Sequence, residues 1–316
     1  MQATLQDLDA AAALVHAVMA PTLQYNWPLL SARCGCEVWV KHENHTPIGA
    51  FKIRGGIVLM NGFAGVSAGI ITATRGNHGQ SIGLAARAAG VKATIVVPEG
   101  NSTEKNAAMA ALGAELVVSG RDFDDARDHA RTLAMEKGLT MLPSFHPLLV
   151  QGVASYALEL LRAVADLDVI YVPIGLGSGI CGVIAARDAL RLKTEIVGVV
   201  AKGAPAYALS FAAGEPVSTN KVDTFADGVA CRTPEADALA IILAGASRIV
   251  TVSDDEIKTA MRAYYTDTHN LAEGAGAASL AALLQEKSIM AGRKAGLILT
   301  GGNIDIDVYR DILHGG

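Results

Sequence analysis

The chain is short of several things. Aromatic residues make up 5% of its 316 positions and charged residues 18%, the latter below the roughly one quarter usual for soluble domains. Only four cysteines occur, at 34, 36, 181 and 231. Cys34 and Cys36 stand too close for a Cys-x-x-Cys metal clip, and no His or Cys pair completes one, so reduced thiols in a cytosolic protein are expected. No stretch approaches the ~18 apolar residues that a membrane helix needs. Ala10–Ala20 is apolar but short. It follows Asp7 and Asp9 and lacks a basic leader, so it reads as a surface helix and not as a signal peptide. The net charge is −5 and no basic block appears, which argues against a nucleic-acid partner. Repeats, low-complexity tracts and long linkers are also missing.

What is present is apolar and alternating. Hydrophobic residues reach 51%, which suits a large, alanine-rich, well-buried α/β protein. A chain of 316 residues exceeds what one small core usually holds, so two domains are expected. Short β-rich runs alternate with helical stretches. Ile70–Thr74 precedes a helix from His78 to Ala89, and Ala93–Val97 precedes one from Thr103 to Leu112. Glu115–Val118 precedes Asp122–Lys137, followed by Thr140–Leu142. Val169–Val172 precedes Gly179–Leu190, and Glu195–Val200 follows. Such alternation predicts parallel sheets covered by helices on both faces. The run from Ile70 to Met141 suits a compact four-strand unit. That makes residues 66–142 a small inserted domain, with 1–65 and 143–316 forming the large one and the active site in the cleft between them. Ligands in open parallel sheets bind at the carboxyl ends of strands.

Four segments carry chemistry: HTPIGAFKIRG (His45–Gly55), TRGNHGQ (Thr74–Gln80), PIGLGSGICG (Pro173–Gly182) and LTGGN (Leu299–Asn303). In the first, Lys52 follows Phe51 just past a predicted strand, Glu37–Lys41. A lysine amine can condense with an aldehyde cofactor and later act as a base. Alone, Lys52 reads equally as a surface lysine at a helix start; Gly49, Gly55 and Gly56 around it allow close approach of backbone and ligand. In the third segment, Gly175-Leu176-Gly177-Ser178-Gly179 leaves a strand and opens a helix, where unpaired amides and the helix dipole attract a phosphate. A plain strand-to-helix turn would look similar. A dinucleotide is disfavoured, because no clear ribose-binding acid follows except Glu195, which opens the next strand.

Together, and in this order, the four segments resemble the second fold type of pyridoxal-phosphate enzymes, the threonine/serine dehydratase and serine racemase branch. The resemblance runs from about Pro21 to Asn303. It implies an α/β fold of two three-layer domains with parallel or mixed sheets, of the tryptophan-synthase-β-like kind. It also implies pyridoxal 5'-phosphate bound to Lys52, with Phe51 beside the ring and the phosphate on Gly175, Leu176, Gly177, Ser178 and Gly179. Leu176 and Ser178 stand where the family generally has glycine, so Leu176 must point away from the phosphate. By the same resemblance, Asn77 bonds the ring oxygen, and Thr74, Gly76, Asn77 and His78 wrap the substrate carboxylate. Thr300 replaces the family serine at the pyridine nitrogen, and Glu273 in AEGAGAAS (Ala272–Ser279) stands beside the cofactor. His78 and Glu273 also admit plain readings, a helix-start residue and a surface acid. Asp227 in FADGVA (Phe225–Ala230) matches a segment near which some members bind a divalent cation, but no full ligand set aligns and the metal stays open.

Two departures carry information. Arg75 replaces a Ser or Ala; a serine at this place is the second acid/base of the racemases. Arginine stays charged at neutral pH, so it disfavours a two-base racemase and suits an acidic, carbonyl or aromatic group on the substrate. A solvent-facing structural arginine is the plain alternative. The chain also ends at Gly316, without the extra C-terminal domain of regulated biosynthetic dehydratases, so end-product inhibition of that kind is not expected. The implied activity is β-elimination on a β-hydroxy amino acid, threonine- or serine-like or with a larger or acidic side chain, giving a 2-oxo acid and ammonia. An amino-acid racemase and a β-replacement synthase remain alternatives. A cytoplasmic homo-oligomer, dimer or tetramer, with a small amino-acid substrate completes the expectation.

Overall fold

The computed structural model describes residues 3–63, 65 and 68–315. Ten strands run in chain order: β1 (Gln24–Asn26), β2 (Glu37–His42), β3 (Ile70–Ala73), β4 (Ala93–Val97), β5 (Glu115–Val118), β6 (Thr140–Met141), β7 (Val169–Pro173), β8 (Glu195–Ala201), β9 (Arg248–Val252) and β10 (Lys294–Leu299). They form two sheets. The larger has the order β1-β2-β10-β7-β8-β9 and the smaller β5-β4-β3-β6. Every pairing is parallel except β1 with β2. All four strands of the smaller sheet fall between residues 70 and 141, as the alternation predicts. The domain boundary expected at residue 66 lies outside the described residues, as do the chain ends at 1 and 316.

The three-layer build follows from side-chain alternation along the strands. Val169 and Tyr171 of β7 face one apolar cluster, and Ile170 and Val172 face the other. Along β8, Val197 and Val199 join the first cluster, while Ile196 and Val200 join the second. A strand buried on both faces reads as a continuous apolar run, which is how β7 and β8 read in the sequence. The small sheet behaves likewise: Ile70 and Ile71, neighbours on β3, enter different clusters.

The functional segments sit at strand exits. Thr74 follows β3, Gly175 lies just past β7 and Thr300 follows β10. The antiparallel β1, the long helix Pro147–Ala163 and β9 lie outside the alternation described above. No helix among the described residues is long and apolar enough to cross a membrane.

Candidate active site

Lys52 opens the helix Lys52–Gly62, and its own loop is fastened to the last motif. The Phe51 amide donates to the Thr300 carbonyl at 2.9 Å, and the Gly302 amide donates to the Gly49 carbonyl at 2.9 Å. The Asn303 side chain donates to the Ile48 carbonyl at 2.8 Å. Gly49 is required here. Its φ is +68°, and a Cβ would come within 2.6 Å of Asn303 Oδ1. The close approach expected at Gly55 and Gly56 is to protein rather than ligand: they press on Leu149 and on Ser81.

The Lys52 amine donates to Ser178 Oγ at 3.1 Å and lies 4.9 Å from the Phe51 ring centre. Burial, only partly opposed by Glu273, pushes it down to about 8. A substantial neutral fraction therefore exists near physiological pH, as a nucleophile or base needs.

The glycine turn leads into the helix Ser178–Ala189 through Gly177, with φ +101°. The first intrahelical bond is Cys181 N–H to the Gly177 carbonyl, 3.0 Å, so the amides of Ser178, Gly179 and Ile180 precede it. No side chain caps this helix, nor the helix Asn77–Ala88 that opens after Gly76. Helices Thr103–Ala111, Phe123–Lys137 and Asp254–Thr268 are capped by Ser102, Asp122 and Ser253. Residues 76–78 and 177–179 line one pocket, so these two helix starts offer donors to an anion there. Leu176 packs into an apolar cluster, and its carbonyl accepts from Tyr207 Oη at 2.9 Å.

The substrate loop is partly self-satisfied. Thr74 Oγ1 accepts from the amides of Gly76 at 3.0 Å and Gly79 at 3.3 Å. The Gly76 amide, expected to face a carboxylate, is therefore already used, and the amides of Asn77 and His78 are the ones ahead of the bond from Gln80 to Gly76. Asn77 donates to Glu273 Oε1 at 2.7 Å and accepts from Asn303 at 2.8 Å. His78 is buried, its Nε2 has no hydrogen-bond partner, and burial and Lys52 push it down to about 3. It is neutral at physiological pH. Arg75 is exposed and lines the pocket. Among the described residues no partner holds its guanidinium.

Glu273 and Thr300 are both buried in the pocket wall. Burial raises the Glu273 carboxyl to about 7, with Asp227 adding to the rise and Lys105 and Asn77 opposing it. Lys105 also lines the pocket, and Asn303, not itself in the lining, holds Asn77; neither is among the site residues expected from the sequence. Asn303 sits inside LTGGN, so its motif was the available signal; Lys105 had none. The Lys105 ammonium is 2.7 Å from Asp227 Oδ2 and 3.5 Å from Glu273 Oε2. Asp227, where a cation was left open, thus holds an ammonium, and no group of three or more His, Cys, Asp or Glu among the described residues could hold a metal. All four cysteines are free and buried.

A partly neutral lysine amine, a glycine turn with unclaimed amides, a buried hydroxyl at Thr300 and the unpartnered His78 Nε2 share one pocket. This donor set fits an anionic aromatic aldehyde. Residues 18–301 match the family described as pyridoxal-phosphate dependent enzymes, and the chain belongs to that family. The biosynthetic L-threonine dehydratase of Haemophilus influenzae is 32% identical over 286 residues, covering 89% of this chain and 56% of its own length. The chain thus spans a little over half of that relative. An L-threo-3-hydroxyaspartate ammonia-lyase from a Pseudomonas species is 35% identical, covering 90% of this chain and 91% of its own. The structure of maize serine racemase superposes with a TM-score of 0.92 at 27% identity, covering 100% of this chain and 98% of that one. The expected fold type is the one observed.

Proposed function

We propose that the chain is an ammonia-lyase that eliminates water from a β-hydroxy amino acid to leave a 2-oxo acid and ammonia. The observation that carries the reading is the Lys52 amine, lowered to about 8 and held 3.1 Å from Ser178 at the mouth of the glycine turn. Lys52 would hold pyridoxal phosphate covalently. The amides of Ser178 and Gly179 would take its phosphate, with Phe51, Asn77, Glu273 and Thr300 around its ring. When bound, that group supplies an electron sink for the substrate α-carbon.

The chain's own groups supply the rest. The amides of Asn77 and His78, at a helix start, bind the substrate carboxylate. The neutral Lys52 amine takes the α-proton. Thr300 offers a hydroxyl rather than a carboxylate to the ring nitrogen, which suits elimination better than transamination, since a leaving group quickly relieves the charge. Arg75, charged and free at the pocket mouth, meets the far end of the side chain and leaves no neutral acid/base at its position. Both similarities to ammonia-lyases and dehydratases point the same way. Residues 66–142 are proposed to form a separate small domain. A cytoplasmic homo-oligomer is proposed from the family resemblance, and light scattering on the purified protein tests the assembly.

The deciding experiment incubates the loaded protein with L-threonine, L-serine, 3-hydroxyaspartate and bulkier β-hydroxy amino acids. Keto acid release supports the lyase. Inversion without keto acid would replace it by a racemase, and turnover only with added thiol by a synthase. Borohydride reduction and peptide mapping should place the cofactor on Lys52.

A further inference from the structure

Lys105 belongs to the first turn of the helix Thr103–Ala111, beside the small sheet, yet its charge is used on the other side of the cleft. Its stem lies against Gly76, where any side chain would collide with it. Its ammonium ends 2.7 Å from Asp227 and 3.5 Å from Glu273. Glu273 is fully inside, and its Oε2 has no hydrogen-bond partner, while its Oε1 accepts from Asn77 at 2.7 Å. A loop of contacts results, running from Lys105 over Gly76 to Asn77, on to Glu273 and back to Lys105. The turn that carries Lys105 is itself fastened across the cleft. Ser102 bonds Asp305, and Glu104 accepts from the Ile306 amide at 2.8 Å.

We infer that Lys105 is a positioning residue of this site: delivered from the small-sheet side, its ammonium supplies the counter-charge that favours the ionised form of Glu273, so that the Asn77 amide donates to a carboxylate and not to a neutral acid. The inference rests on the reading above only for what Asn77 faces; the ionic geometry stands without it. Two carboxylates and one ammonium meet in a buried place. Like charges there drive one carboxylate to take up a proton unless a cation intervenes. Four elements bring charge or hydrogen bonds to Glu273: Lys105, Asp227, Asn77 and Lys52, each on its own segment. Removing Lys105 leaves Asp227 unopposed, so Glu273 shifts towards the neutral acid and Asn77 bonds a weaker, uncharged acceptor in place of a carboxylate.

The test is a carboxyl titration by carbon-13 NMR on the loaded protein labelled at glutamate, with the Glu273 signal assigned by its loss in Glu273→Gln. In Lys105→Met the Glu273 midpoint should rise by about 1 pH unit or more, a tenfold change in its ionisation constant. Lys105→Arg should bring it back towards the wild-type value. In Asp227→Asn, which removes the opposing carboxylate, the midpoint should fall; this variant decides the matter if Lys105→Met does not fold. With substrate, Lys105→Met should lower kcat more than it changes KM. A midpoint unmoved in Lys105→Met, or unmoved or raised in Asp227→Asn, overturns the inference. A wild-type protein that titrates as described but turns over no β-hydroxy amino acid instead defeats the proposed activity and leaves the inference standing.

Discussion

Lys52 and Arg54 stand two residues apart on one helix, and each enters a buried ionic cluster, but the clusters differ in how completely they are satisfied. The Arg54 guanidinium is fully buried. It reaches Glu43 through Nε at 2.7 Å, Ser155 and Glu159 through Nη1 at 2.9 and 2.6 Å, and Thr22, Glu43 and Glu159 through Nη2 at 3.2, 2.9 and 2.9 Å. Lys41 adds a bond to Glu159 at 2.6 Å. Burial alone would raise the Glu159 carboxyl, but Arg54 and Lys41 outweigh it and hold it down at about 2. Around Lys52 the pattern is reversed. The amine has one hydroxyl partner and His78 Nε2 has none, Glu273 Oε2 has only the Lys105 ammonium at 3.5 Å, and Glu273 sits at about 7. A saturated cluster fixes a backbone; an unsaturated one is poised to accept a ligand or a proton. The Arg54 cluster thus anchors the helix that presents Lys52, joining it to β2, the segment before β1 and the helix Pro147–Ala163.

The comparison breaks most visibly at Lys52 itself. Lys52→Ala should cut keto-acid release by about 10²–10⁴-fold while thermal unfolding stays near the wild type; comparable turnover would remove Lys52 from the mechanism. Arg54→Met should do the converse. Glu43 becomes uncompensated buried charge while Glu159 keeps Lys41, and the loss of stability should reach about 3–5 kcal/mol, read by chemical denaturation. A loss well under 1 kcal/mol would mean that the cluster does not anchor.

The pH response should separate the two regions. Glu159 is depressed from 4.5 to about 2, so its contribution is complete above pH 4.5 and is lost as pH falls towards 2. Lys52 is depressed from 10.5 to about 8. In the cofactor-free protein the unfolded chain then holds the extra proton between those values, so stability rises with pH from about 8 to 10.5. Denaturation curves of Lys52→Met should lack that alkaline rise and keep the acid loss; an unchanged rise would assign it to another group. The smallest effect is at the pocket mouth. Arg75→Ser should shift relative kcat/KM by about fivefold from acidic towards small neutral β-hydroxy amino acids, in keeping with the ~1 kcal/mol of an exposed charge contact. Equal ratios across the substrate panel would deny Arg75 a part in selection.

Much of the frame was legible in the chain. The small-sheet strands and the glycine turn carry local signals, namely apolar runs bounded by turn residues and a strand leading into an uncapped helix. Lys52, Asn77 and Thr300, which the structure brings to one pocket, each lie in a motif. Less visible were contacts between residues distant in sequence. Lys105 and Asp227 are separated by 122 positions, Asn77 and Asn303 by 226, and nothing local to either partner announces the other. Thr74 and Gly76 were expected to face a substrate, but a turn bond between them had already claimed the Gly76 amide. Gly55 and Gly56 were expected to admit a ligand and instead admit neighbouring helices.

The amino-acid order by itself determined most of the strands, though not β1 or β9, where the carboxyl ends of those strands fall and which residue types wait there, because side-chain periodicity and turn chemistry act within a few positions. Tertiary packing alone decided which charges would be balanced and which left open. That depends on desolvation and on partners brought from a hundred or more residues away, so one turn of helix could hold both an anchor at Arg54 and a reactive amine at Lys52.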